Sequence, residues 1–157
     1  MIKTNVLFVC LGNICRSPVA EALFREKILK SGQIGISCDS AGTNGLHNGE
    51  QPDIRSIKVC EENGIFLNHI SRQVTSEDFE NFDLILALDH TNLTLLQRMQ
   101  PESSSAEIHL LRKWDPVQED LNVKDPYYGN QQDFAEMFEV IDRACAGLIL
   151  SLTSGQK

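Results

Sequence analysis

Residues 6–18 read Val6-Leu7-Phe8-Val9-Cys10-Leu11-Gly12-Asn13-Ile14-Cys15-Arg16-Ser17-Pro18. The four apolar residues 6–9 predict a strand buried on both faces, because a half-exposed strand would alternate apolar and polar. The run stops at Cys10. Ser17-Pro18 then predicts a helix start, with serine as N-cap and proline at the first helical position, where a missing N–H costs nothing. A buried strand that feeds directly into a helix is the opening unit of a parallel α/β sheet.

The rest of the chain repeats that unit. The first helix is expected from Pro18 to about Ser31, with Val19, Leu23, Ile28 and Leu29 for its core face and Gly32 to end it. Residues 34–40 predict a second strand, and 42–52, dense in Gly and Asn, a loop. Asp53 opens another helix that Gly64 closes, and Thr75-Ser76-Glu77-Asp78 resembles a helix cap before Phe79. Residues 84–88 predict a third buried strand, 91–99 a helix stopped by Pro101, and 108–111 a short fourth strand. Residues 112–130 form a long connection with two prolines and no period, a length that is often functional. Phe134, Met137, Phe138, Ile141, Cys145, Leu148, Ile149 and Leu152 then follow helical spacing and read as a core stripe. The expectation is an α/β fold, a three-layer sandwich with a four-stranded parallel sheet and helices on both faces, as one domain over residues 1–157. Ligands of such sheets bind outside the C-terminal strand ends. That points to the turns after Val9, Ser40 and Leu88 and to the 112–130 connection.

Composition bounds the function. The 157 residues carry a net charge of −8, which disfavours nucleic acid and anionic membrane as partners. The charge is uneven: residues 1–37 hold five cations against two glutamates, a net +3, leaving −11 for the remainder. Five cysteines is an odd number for a disulfide framework. Met1-Ile2-Lys3-Thr4-Asn5 is followed by an apolar run too short for a signal segment, and no stretch approaches the roughly 20 apolar residues of a membrane span. A cytoplasmic monomer with reduced thiols is therefore expected.

The chemistry concentrates in the turn after the first strand. Cys10 and Arg16 are separated by five residues, between a strand end and a helix start. Amides of such a loop point inward and form an anion cup, and Gly12 and Asn13 are the residue types that tolerate the positive φ it needs. Arg16 can grip two phosphate oxygens, and the helix dipole stabilises negative charge on Cys10 at the floor. Ser17 can cap the helix and donate to that sulfur. There is no dinucleotide or nucleotide-triphosphate glycine loop, and the cysteines lack zinc spacing, so no metal or cofactor is expected.

Residues 6–25, VLFVCLGNICRSPVAEALFR, closely resemble the low-molecular-weight protein tyrosine phosphatases. Asp125-Pro126-Tyr127-Tyr128-Gly129 resembles that family's general-acid loop, and residues 39–43 and 72–75 fall where the family has similar segments. The resemblance implies Cys10 as nucleophile, Arg16 as phosphate clamp and Asp125 as general acid and then base. It implies phosphate binding by Leu11, Gly12, Asn13, Ile14, Cys15, Arg16 and Ser17. Asn13, Ser17, Ser40 and His69 correspond to a supporting hydrogen-bond network, and Tyr127 and Tyr128 to one wall of a slot for the substrate ring. Cys15 corresponds to a redox partner that traps oxidised Cys10. One position departs: where the family often has a second aromatic wall, this sequence has Leu46, which predicts a one-sided slot. His47, His90 and His109 carry no motif and read as surface or structural. Cys38, Cys60 and Cys145 read as buried and inert.

Three other readings share these residues. Arsenate reductases resemble the family in scaffold but need relay cysteines on a mobile segment, which this sequence lacks. Phosphoarginine phosphatases typically have Thr before the second loop cysteine, where this chain has Ile14. A non-catalytic phosphopeptide-binding module would not need Cys10, Arg16 and Asp125 together. The preferred partners are phosphotyrosine-containing proteins.

Overall fold

The computed structural model describes residues 3–154. Strand β1 (Thr4–Cys10) lies between β2 (Ile36–Gly42) and β3 (Leu84–Ala87), and β4 (Glu107–Leu110) pairs with β3. All pairings are parallel, in the order β2-β1-β3-β4. The four-stranded parallel sheet expected from the sequence is therefore present.

Alternation along β1 divides the core. Val6 and Phe8 face helices α1 (Arg16–Ser31), α2 (Ile54–Glu62) and α5 (Gln131–Thr153). Leu7 and Val9, with Ile85 and Ala87, face Phe79 of α3 (Asp78–Asn81) and Leu96 of α4 (His90–Met99). Helices thus cover both faces, and residues 6–9 have no exposed surface at all, as the continuous apolar run requires. Phe8 and Phe24 meet edge to face at 5.5 Å, locking α1 onto the sheet. The expected stripe on α5 lies in that layer, with Phe134, Met137, Phe138, Ile141, Cys145 and Leu148 buried and Ile149 and Leu152 partly buried.

Several local expectations change. Leu29, expected on the core face of α1, is largely exposed, and the second strand runs Ile36–Gly42 instead of 34–40. Helix α1 begins at Arg16, not Pro18, and Ser17 does not cap it. Pro18 still falls within the first turn, where N–H groups lack intrahelical acceptors, so the earlier start costs nothing. The 112–130 connection is also more ordered than its sequence suggests. Leu111–Trp114 forms a single 3₁₀ turn, and the buried Asp115 receives Arg112 at 3.0 Å and Arg143 at 3.2 Å. Burial alone would raise the Asp115 pKa, but hydrogen bonds from Arg143, the Val117 N–H and Arg112 outweigh it and hold the carboxyl below its ordinary value. Arg112 also donates to the carbonyls of Asn122 and Val117, both at 3.0 Å, bracing the segment that leads to Asp125.

The central position of β1 fixes where a site can form. Its neighbours run off to opposite sides, so a crevice opens beyond its C-terminal end, at Cys10.

Candidate active site

The loop from Cys10 to Arg16 folds over the end of β2. The Thr43 N–H donates to the Cys10 carbonyl at 2.9 Å and the Asn44 N–H to that of Leu11 at 3.1 Å. This approach requires a glycine at 42, because a Cβ there would stand 2.8 Å from the Leu11 carbonyl oxygen. Asn13 is the residue with positive φ, at 58°. Gly12, expected to share that role, has a negative φ; its missing Cβ instead makes room for the His47 ring, which would lie 2.9 Å away. Among the described residues, the backbone N–H groups of Leu11, Gly12, Asn13, Ile14 and Cys15 have no protein acceptor. A run of unpaired amides opening into a helix N-terminus is suited to a small anion.

Asn13 accounts for the strained turn it occupies. Its amide Nδ2 donates to Ser17 Oγ at 2.8 Å and Ser40 Oγ at 3.0 Å. Its Oδ1 accepts from His69 Nε2 at 2.7 Å and from the Arg72 N–H at 3.0 Å. With Asn13 donating to the Ser17 oxygen, the hydroxyl hydrogen is left for Cys10 Sγ, 3.0 Å away; its other acceptor, the Ala41 carbonyl, is at 3.4 Å. So Ser17 serves the sulfur and not the helix end. Asn13, Ser17, Ser40 and His69, grouped from the sequence, form one connected network. Sequence reasoning missed its last member. Buried Glu21 accepts from Ser40 Oγ at 2.7 Å, faces His69 Nδ1 at 3.2 Å, and is paired with Arg25 at 2.7 Å. The signal was a carboxylate one helical turn after Ser17.

Arg16 is almost wholly buried and points across the cup. Its Nη1 donates to Asp89 Oδ2 at 2.7 Å and to the Val123 carbonyl at 2.8 Å, while Nη2 lies 3.6 Å from Asp125 Oδ2. Burial works against its charge, but Cys10, Asp89 and Asp125 outweigh that and raise its pKa above the ordinary arginine value. Asp89, also missed, lies two residues past β3 as the N-cap of α4, at the strand end where ligands bind. Of the other cations of the basic segment, Arg25 reaches the network only through Glu21, and Lys27 and Lys30 pair with Asp142 and Glu26.

A cavity of about 190 Å³ stands over the loop, bordered by Cys10, Leu11, Gly12, Ile14, Cys15 and Arg16 below. Asn44, Leu46, His47, Asp125, Tyr127 and Tyr128 border it above. Asp125 is partly exposed, and its Oδ1 accepts the Tyr127 N–H at 3.1 Å. Arg55, missed from the sequence, ties this loop down by donating to the carbonyls of Tyr127 at 2.9 Å and Gly129 at 3.1 Å, with its guanidinium 4.4 Å from the Phe134 ring centre. Its own partner is Asp53, which caps α2; the Asp-x-Arg spacing at that helix start was the available signal. Burial raises the Asp53 pKa, and the Arg55 bonds bring it below the ordinary value.

The cysteines divide. Cys10 and Cys15 border the cavity, and burial together with Asp53, Cys10 and Asp125 raises the Cys15 pKa, keeping it a thiol. Burial pushes Cys60 up to about 12, and Cys145 is enclosed in the core. Cys38, expected to be buried, is half-buried because β2 is an edge strand; it too is pushed up to about 12, by burial. For metal binding, one group of suitable residues, Glu21, Asp39 and His69, has ligand atoms within 4.8 Å of one another. All three already hold protein partners, among them Arg25 and Arg72.

A parallel α/β sheet that presents one cysteine, one buried arginine and a row of free amides at the end of its central strand defines a class of protein built around a single small oxyanion. The family model described as low molecular weight phosphotyrosine protein phosphatase matches residues 5–157. A low molecular weight phosphotyrosine protein phosphatase of Gallus gallus is 45% identical over 152 residues, covering 92% of this chain and 93% of the relative. The crystal structure of a protein tyrosine phosphatase from Entamoeba histolytica superposes with a TM-score of 0.93 at 39% identity, covering 99% of this chain and 100% of the other. That of a Drosophila arginine phosphatase does so with 0.90 at 32%, covering 94% and 96%. The chain belongs to the low molecular weight phosphotyrosine protein phosphatase family.

Proposed function

We propose that this protein hydrolyses phosphotyrosine in protein substrates through a cysteinyl-phosphate intermediate. The observation that carries the reading is that Cys10, Arg16 and Asp125 border one cavity whose upper part includes Tyr127 and Tyr128. Cys10 Sγ attacks phosphorus while the P–O bond to the phenol breaks, and Asp125 gives its proton to the leaving oxygen. The loop amides and Arg16 hold the other three oxygens as charge redistributes. Asp125, now a carboxylate, takes a proton from water as the water attacks phosphorus. The S–P bond breaks, phosphate leaves and the sulfur is restored. Asp89 and the Val123 carbonyl support this role by fixing Arg16 before substrate arrives.

The test is a comparison of phosphotyrosine, phosphoserine and phosphoarginine peptides. Phosphotyrosine is expected to exceed phosphoserine in kcat/KM by on the order of 10²-fold, because a short side chain cannot place its phosphate at the cavity floor. Ile14, apolar and bordering the cavity, favours the aryl ester. A preference for phosphoarginine would shift the reading to the activity named for the Drosophila structure. Arsenate reduction is disfavoured because Cys60 and Cys145 sit in the core and neither borders the cavity.

We extend the reading to Cys15 as the redox partner of Cys10. Peroxide converts the Cys10 thiolate to a sulfenic acid; Cys15 then attacks that sulfur, forming the disulfide and releasing water. Mass spectra after mild peroxide treatment are expected to contain a Cys10–Cys15 crosslink, and sulfinic acid at Cys10 as the sole product would remove the role. A reducing cytoplasm is the compartment proposed, supported by the five free cysteines; no helix of the described residues is long and apolar enough to cross a membrane.

A further inference from the structure

We infer that Arg112 is a positioning residue for the reaction, holding the backbone that fixes Arg16 and carries Asp125; the inference rests on the phosphotyrosine reading above. Arg112 is 7% exposed, and each nitrogen of its guanidinium is bonded to a different residue of the segment that follows. Nε donates to Asp115 Oδ2, Nη2 to the Val117 carbonyl and Nη1 to the Asn122 carbonyl, all at 3.0 Å. A planar fork with fixed N–H directions sets these positions relative to one another, which a lysine could not do. Packing does not set them. Between Asp115 and Val123 no residue is buried. A cavity of about 120 Å³ is bordered by Arg112, Val123 and Pro126 on one side and by Met137 and Val140 of α5 on the other, so α5 does not support the segment there.

The held backbone leads directly to the chemistry. Asn122 is joined to Val123, whose N–H donates to the Leu88 carbonyl at 2.7 Å and whose carbonyl accepts from Arg16 Nη1 at 2.8 Å. Asn122 Oδ1 accepts both the His90 N–H and the His90 Nδ1–H, each at 2.8 Å. That ties the same residue to the start of α4, beside Asp89, the other partner of Arg16 Nη1. The Asn122–Val123 peptide is therefore a junction: Arg112 holds it from behind, and it holds Arg16 in front. Asp125 lies two residues further along the chain. Arg16 must meet the phosphate oxygens while Asp125 stays within reach of the leaving oxygen, so a shift of the junction misplaces both groups together. Arg143 provides the comparison. It is the second arginine on Asp115, at 3.2 Å, and among the described residues it donates to nothing else.

The experiment compares the wild type with Arg112→Lys, Arg112→Gln and Arg143→Ala. It measures steady-state hydrolysis of phosphotyrosine and nitrophenyl phosphate, binding of inorganic phosphate by isothermal titration, and thermal unfolding. Arg112→Lys keeps a charge for Asp115 but cannot hold both carbonyls. Both Arg112 variants are expected to lower kcat for phosphotyrosine about tenfold or more, with a smaller loss for nitrophenyl phosphate, whose leaving group needs no proton. Phosphate binding is expected to weaken about three- to tenfold, because Arg16 keeps Asp89 but loses a fixed carbonyl at Val123. Arg143→Ala is expected to lower the melting temperature and to leave kcat and phosphate binding within about twofold. A folded Arg112→Lys protein with kcat and phosphate affinity within about twofold of wild type overturns the inference. So does an equal loss of kcat in Arg143→Ala, because Arg112 would then act only through the Asp115 ion pair. Failure of both Arg112 variants to fold overturns it as well, since the residue would serve the fold and not the reaction. A wild-type protein that hydrolyses no aryl phosphate, while phosphate binding weakens as expected in the variants, sinks the parent reading and leaves the positioning of Arg16 standing.

Discussion

Cys10→Ser is expected to lose phosphotyrosine turnover by on the order of 10⁴-fold or more while still binding phosphate or vanadate within a few-fold of wild type. The change replaces one sulfur by one oxygen at a site with fixed surroundings. Ser17 Oγ lies 3.0 Å from Sγ and is itself held by Asn13, so the neighbouring donor stays where it is. The anion's other partners are the loop amides and Arg16, which the substitution does not touch. Arg16 keeps Asp89 and Val123 whatever stands at position 10. What is lost is the nucleophile, because a serine hydroxyl in this cup has no base positioned to take its proton. His69 sits beyond Asn13, hydrogen-bonded to its Oδ1, and the ring has no contact with Cys10. Isothermal titration with phosphate alongside steady-state kinetics checks both halves. Retained turnover would remove Cys10 from the mechanism, whereas loss of both would mean a collapsed loop.

Asp125→Ala is expected to slow hydrolysis of phosphotyrosine by about 10²- to 10⁴-fold but a nitrophenyl phosphate far less, because nitrophenolate leaves without a proton. The structure makes this a clean test. Asp125 lies 3.6 Å from Arg16, but Asp89, at 2.7 Å, is the closer counter-charge, so the buried guanidinium is not stranded when Asp125 is removed. Arg55 holds the Tyr127 and Gly129 carbonyls independently of the Asp125 carboxylate, so the loop keeps its anchors. Asp125→Asn sharpens the comparison. It preserves an oxygen to accept the Tyr127 N–H and removes the transferable proton, and is expected to match the alanine variant. Equal slowing of both substrates would assign Asp125 to binding and not to proton transfer.

The elements of the site that were legible in the sequence are those written in contiguous residues. Val6-Leu7-Phe8-Val9 declares a buried strand by apolar continuity, and Cys10 to Arg16 declares a loop whose glycine and asparagine permit an unusual backbone. Asp125 was legible through its neighbours Pro126, Tyr127 and Tyr128. Each of these readings depends on interactions within a few residues, so the local sequence suffices. Ser17 was misread as a cap because serine before proline has that local preference, which the Cys10 and Asn13 contacts override.

By itself, then, the sequence determined the alternation of strands and helices, the loop that follows β1 and the identity of its cysteine and arginine. Only the tertiary structure decided what holds and encloses them: Asp89 on Arg16, Glu21 behind Ser40 and His69, Arg55 on the Tyr127 carbonyl, and His47 over Gly12. Those pairs span up to 73 positions in the chain. Their meeting depends on strand order and register, which place the ends of β1, β2 and β3 side by side. Side chains of ordinary composition become parts of a site there because the fold buries them against one another, and burial makes each unpaired polar group costly enough to demand its partner.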